Sequence, residues 1–143
     1  QIQDKILVEK LSTKINLKDN LSNLKDNIVV FKPPETLIKV GYDSNIALIK
    51  RVIGIPGDKI EVKDGNLYLN DEIQNNFITD KNINYSIGPV IVPKNSLWVM
   101  GDNRNNSLDS HVWGPLPYEK IIGRAFLRYW PLNHFGPIYF PAT

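Results

Sequence analysis

Cysteine is absent from the 143 residues, methionine occurs once and histidine twice. The lack of cysteine excludes a disulfide framework and a thiolate metal site, and is compatible with either redox compartment. His111 and His134 lie far apart in the chain, and two such residues do not make a His-based zinc centre. No metal site and no cofactor is expected. Long apolar runs are missing too: none approaches the ~18 residues that span a bilayer as a helix, so any anchor lies outside this segment. Strong charge of either sign is also lacking. With 17 basic and 15 acidic residues the net charge is +2, and without a clustered basic face no nucleic-acid partner is expected. What remains is an ordinary globular composition, 42% hydrophobic and 22% charged. The length predicts one domain over residues 1–143, burying roughly two thirds of its unfolded surface. There is no internal repeat and no linker.

Most of the apolar pattern has period two. Residues 2–11 read as a first strand, 28–31 as a second stopped by Pro33 and Pro34, and 47–55 as a third ending in Pro56-Gly57. Asp64-Gly65 suits a two-residue type I′ turn, which predicts a hairpin pairing Val62 with Leu67 and Ile60 with Leu69. Residues 90–92, 97–100 and 121–130 supply further strands, the last before a Pro- and aromatic-rich tail. Between them, residues 12–27 carry Leu17, Leu21, Leu24 and Ile28 at helical spacing in a polar background, predicting a loop with one or two helical turns. Residues 35–44 read as a connection and 71–88 as an exposed excursion. The class predicted is all-β: twisted antiparallel sheets, partly barrel-like, with little helix.

Two stretches hold most of the functional groups. Residues 100–111 bring Asp102, Arg104, Ser107, Asp109, Ser110 and His111 into one loop, which is either an Asx-rich connection or a site. In residues 47–58, alternation sets Leu48, Lys50 and Val52 on one face and Ile49, Arg51 and Ile53 on the other. If that strand is buried, Arg51 stays charged and needs a carboxylate, whereas Lys50 can lose its proton and serve as a neutral amine base. If it is an edge strand, both cations reach solvent. Spacing alone leaves both readings open.

The Lys-Arg-x-x-Gly-x-Pro-Gly-Asp pattern at 50–58 and the Gly-Asp-Asn-Arg-x-Asn-Ser-x-Asp-Ser pattern at 101–110 resemble the type I signal peptidases. These are membrane-bound serine proteases that remove signal peptides from exported proteins. Residues 4–10 and 28–34 look like two further segments of that family, and the surroundings of Gly41 and Ile49 look most like its cyanobacterial or plastid-type members. The resemblance implies the following roles. Lys50 is the base of a Ser/Lys dyad and Ser107 the hydroxyl that orients it. Arg51 pairs with Asp102. Arg104 and Asp109 support the loop, and Ile49 lines the pockets for small substrate residues or is plain core. The family usually bridges the acid at the position of Asp109 to an Arg two residues on; here that residue is His111, so a weaker, pH-dependent bridge is expected. Asn105 stands where many relatives have Asp, with little consequence expected. Implied partners are the signal peptides of exported preproteins and a membrane surface; no oligomeric state is implied. The implied location is the extracytoplasmic side, periplasmic or thylakoid-lumenal, of a membrane-anchored protein.

The family's nucleophile lies in a Ser-Met-x-Pro-Thr-Leu segment just upstream of the strand that residues 1–8 resemble, and none of the 143 residues matches it. The expectation is a chain that begins after the nucleophile and the anchor and is inactive alone. Two rival readings stay open. One is a Ser-His-Asp hydrolase built from Ser107, His111 and Asp109, although three triad members within five residues seldom converge. The other is a non-catalytic peptide-binding β domain on the same scaffold. Trp113, Phe126, Trp130, Phe135, Tyr139 and Phe140 form either a membrane-facing patch or core.

Overall fold

Two antiparallel sheets hold the regular structure of the computed structural model, which describes residues 6–10, 21–75, 82–127 and 138–139, with side chains for 21–75 and 82–125. In chain order the strands are β1 (Ile6–Lys10), β2 (Ile28–Phe31), β3 (Ile46–Gly54), β4 (Lys59–Lys63), β5 (Asn66–Leu69), β6 (Glu72–Gln74), β7 (Ile87–Ile91), β8 (Ser96–Met100), β9 (Leu116–Pro117), β10 (Ile121–Leu127) and β11 (Ile138–Tyr139). The larger sheet runs β1-β10-β2-β3-β8-β9, with β11 also paired to β3. The smaller runs β6-β5-β4-β7.

The placement of β3 decides the site. It pairs antiparallel with β2, Val29 opposite Lys50, and with β8, Arg51 opposite Met100. It is therefore a central strand, and the edge-strand reading of Lys50 and Arg51 is excluded. Its two faces serve two cores, which is why the strand reads as almost continuously apolar. Leu48 and Val52 join Val29, Phe31, Leu97, Val99 and Leu116 in one. Ile53 joins Ile60, Val62, Leu67, Leu69, Trp98 and Met100 in the other.

The Pro56-Gly57 turn passes the chain from one sheet to the other. Gly57 has φ 92°, and the Asp58 carboxylate accepts from Ile55 N at 3.0 Å. In the hairpin beyond, Asp64 (φ 52°) and Gly65 (φ 81°) both take positive φ, as a type I′ turn requires. The register pairs Ile60 with Leu69 and Val62 with Leu67. Pro89 sits in β7 at the sheet edge, where a missing N–H is tolerated.

Two local expectations need correction and a third is met. Residues 35–44 contain a short helix, α1 (Glu35–Lys39), which starts after Pro34 (φ −63°) and buries Leu37. The 71–88 stretch is less exposed than expected: β6 and the start of β7 lie in it, and Ile83 is buried. The helical spacing at 17–28 becomes a 3-10 turn, Leu21–Leu24, whose two leucines enter the first core. Ile28 belongs to β2 instead, and Leu17 lies outside the described residues.

Trp113 closes a second short helix, α2 (Ser110–Trp113). Its ring packs on Phe31, centroids 5.8 Å apart at 58°, and its Nε1 donates to Leu108 O at 3.2 Å. It lies against the core rather than on a membrane-facing patch. Trp130, Phe135 and Phe140, and the side chains of Phe126 and Tyr139, lie outside what is described.

Candidate active site

Antiparallel pairing of β3 with β8 delivers the polar loop to the middle of β3. Because Arg51 lies opposite Met100, the residues after Met100 must turn next to Lys50. The loop is tied down on both sides of its first residue: Gly101 N donates to Asp109 Oδ2 at 2.9 Å, and Arg104 Nε donates to Gly101 O at 2.9 Å. Ser110 Oγ accepts from Val99 N at 2.9 Å, fastening the start of α2 to β8.

Arg51 meets Asp102 in a bidentate pair, Nε to Oδ1 at 3.0 Å and Nη2 to Oδ2 at 3.1 Å. Its Nη1 donates to Asp26 O at 2.8 Å. Both residues are buried. A buried guanidinium cannot shed its proton, so it takes the two-pronged acceptor that matches its fork. Arg104 is buried as well, and its two terminal nitrogens have no hydrogen-bond partner among the described residues. Burial lowers its hold on its proton, with Asp102 the largest opposing charge.

Lys50 is half-buried. Burial holds its ammonium below the ordinary lysine value, opposed first by Asp109 and then by Asp102. Desolvation favours the uncharged form, which is the form that can accept a proton. Ser107 meets Lys50 over Gly101: a Cβ built on Gly101 would lie 2.1 Å from Ser107 Oγ and 3.8 Å from Lys50 Nζ. The hydroxyl is buried and has no hydrogen-bond partner among the described residues.

That close approach explains the glycine. In Gly101→Ala the new methyl would also stand 2.6 Å from Ser107 Cβ. Rotating the serine could move Oγ but not Cβ, so the backbone of the loop must shift. The variant is expected to lose about 1–3 kcal/mol, as overpacked sites do, measured by denaturant unfolding. Stability equal to wild type would mean that the loop is not held against Gly101.

The triad geometry is not formed. Ser107 Oγ has no hydrogen-bond partner among the described residues, while His111 Nδ1 is bonded to Asp109 Oδ1 and its ring stacks on Tyr85, centroids 3.8 Å apart at 7°. Asp109 is fully buried and N-caps α2, accepting from His111 N at 3.0 Å. Ile49 is 3% exposed, so it offers a substrate almost no surface in this chain. Asn105 carries more weight than its sequence suggests. Its Oδ1 accepts from Asn84 N at 2.7 Å and its Nδ2 donates to Asn82 O at 2.8 Å; an Asp there would set two acceptors face to face. Tyr85 escaped sequence reasoning altogether. It sits in the stretch without periodicity, and no motif marks it.

Two antiparallel sheets that bring a half-buried lysine and a buried serine hydroxyl to either side of one glycine, on a loop anchored by a buried arginine–aspartate pair, are the fold and site of a peptidase family. The chain belongs to the family described as signal peptidase, peptidase S26, which matches residues 1–130. It is 42% identical over 137 residues to probable signal peptidase I-2 of Synechocystis sp., covering 95% of this chain and 59% of that protein. With thylakoidal processing peptidase 1, chloroplastic, of Arabidopsis thaliana it shares 44% identity over 131 residues, 90% of this chain and 37% of the relative. These shares mean that the chain spans only part of the length of the curated relatives it matches. The crystal structure of a signal peptidase I from Enterococcus faecalis has the same fold, with TM-score 0.55 at 23% identity over 70% of this chain and 93% of that one.

Proposed function

We propose that this chain is catalytic-domain sequence of a membrane-anchored type I signal peptidase, a serine endopeptidase that cuts signal peptides from exported preproteins after small residues. The observation that carries the reading is the convergence of Lys50 Nζ and Ser107 Oγ over Gly101, with Lys50 already biased toward its neutral form. In this reading the serine nucleophile comes from a segment upstream of β1. Neutral Lys50 takes the proton from that hydroxyl as its oxygen attacks the scissile carbonyl carbon, then gives the proton to the leaving amine as the peptide bond breaks. Ser107, whose hydroxyl has no hydrogen-bond partner among the described residues, supplies the bond that would aim the amine in the working enzyme. The Arg51–Asp102 pair and Asp109 keep the loop that carries Ser107 in place. Ile49, buried here, belongs to the core behind the pocket for small residues rather than to its exposed lining, and the domain works on the extracytoplasmic side of its membrane.

The test is a comparison of two chains on one preprotein in detergent. A chain extended upstream through a Ser-Met-x-Pro-Thr-Leu segment should cleave at the signal junction and lose activity when that serine becomes Ala. The 143-residue chain alone should not cleave. Turnover by the 143-residue chain, abolished by Ser107→Ala and requiring His111, would replace this reading with the triad hydrolase. Tight binding of the signal peptide by the extended chain without cleavage would favour the non-catalytic domain.

A further inference from the structure

Asp109 and Asp102 are the two carboxylates whose charge acts on Lys50. They are compensated very differently. Asp102 carries a bidentate arginine. For Asp109 the only basic side chain within ion-pair distance, among the described residues, is His111. Asp109 Oδ2 is used by Gly101 N, and Oδ1 takes both the backbone N and the imidazole Nδ1 of His111. Tyr85, whose own phenol is pushed up by burial and acted on by Asp109 and Arg104, covers one face of the imidazole. The His111 side chain is 16% exposed, so bulk solvent can exchange protons with it while Asp109 stays sealed.

We propose that His111 is a positioning residue which, acting through Asp109, sets how tightly Lys50 holds its proton, with Tyr85 keeping the imidazole in register. The proposal rests on the reading of Lys50 as the base and assigns that base a regulator. Histidine is the side chain that ordinarily changes charge between about pH 5 and 8. With a neutral imidazole the Asp109 charge acts fully on Lys50 and strengthens the ammonium. With an imidazolium the Asp109–His111 pair is neutral overall, and Lys50 releases its proton more readily. An arginine at this position would hold the second state permanently. The groups that take part are therefore Asp109 and Tyr85 around His111, Arg104 beside Tyr85 and Asp109, and the Arg51–Asp102 pair beside Lys50. Tyr85 comes from the 82–88 segment that Asn105 also grips, so the excursion from the small sheet is tied to the lysine's electrostatics.

The experiment is an NMR titration of the 143-residue chain with labelled lysine and histidine, following the Lys50 Cε and His111 Hε1 signals. Lys50 should titrate lower in His111→Arg than in His111→Gln by on the order of one pH unit, the effect of a nearby charge that is present or absent. In wild type the Lys50 signal should carry a second inflection where His111 titrates. Tyr85→Phe, which keeps the stacked ring, should retain that inflection, and Tyr85→Ala should lose it. The proposal is overturned if Lys50 titrates identically in His111→Arg and His111→Gln. It is equally overturned if the wild-type Lys50 signal is flat through the His111 transition, a comparison that stands even where a variant fails to fold. Neither readout uses turnover, so failure here leaves the assignment of the base intact. Failure of that assignment would appear instead as activity surviving the loss of Lys50.

Discussion

Lys50→Arg in the serine-containing enzyme is expected to lower turnover by about 10²–10⁴-fold, the contribution of a positioned general base, although the positive charge is kept. A guanidinium is not deprotonated near neutral pH and cannot take the serine proton. The wild-type rate should rise with pH, because only the neutral amine is active and its share grows as pH passes upward through the Lys50 value. That value lies below the ordinary 10.5 because burial disfavours the ammonium, with Asp109 and Asp102 limiting the effect. Folding should persist, since Leu48 and Val52 remain in the core on either side of the substitution. The measurement is a pH–rate profile of both enzymes beside their melting curves. A variant that kept most of its activity with an unchanged profile would make Lys50 an ordinary strand residue.

Arg51→Met should be the most destabilising single substitution on β3. It leaves Asp102 buried without its bidentate partner and removes the bond to Asp26 O. Removing one member of a buried pair typically costs about 3–5 kcal/mol, a loss on the order of 10 °C in Tm for a domain of this size. Much of that penalty is the uncompensated carboxylate rather than the worth of the pair itself. The double variant Arg51→Met with Asp102→Leu should therefore recover a large part of the stability while the loop loses its anchor to β3. Urea unfolding of the two single variants and the double variant closes the cycle. Additive losses, with no recovery in the double variant, would mean that the pair is not coupled.

The two substitutions separate two uses of one strand. Lys50 and Arg51 are consecutive, so they point to opposite faces of β3. Burial loosens the hold of one cation on its proton, and the other is locked in a bidentate pair. Burial acts on both, but only the arginine has a carboxylate in contact along both prongs of its fork. The lysine is left with two carboxylates acting on it less directly and a serine hydroxyl close by.

The hairpin, the strand alternation and the family of the chain were legible in the sequence because each is local. Asp64-Gly65 supplies the positive φ values of a type I′ turn, so the pairing of Ile60 with Leu69 follows from a few adjacent residues. Period two in 47–55 assigns faces without knowledge of any neighbour. The two motifs carry the family because their order and spacing survive in the linear chain. Alternation could not say whether the faces of β3 were covered. Only the pairing with β2 and β8 made it a central strand, and only that burial loosens the hold of Lys50 on its proton and obliges Arg51 to find Asp102. The stack of Tyr85 on His111 and the grip of Asn105 on Asn82 and Asn84 join segments distant in sequence and unmarked by any periodicity. Tertiary packing decided them, because the strength of a charge or a hydrogen bond depends on the water removed around it, and which water is removed is a property of the folded chain as a whole.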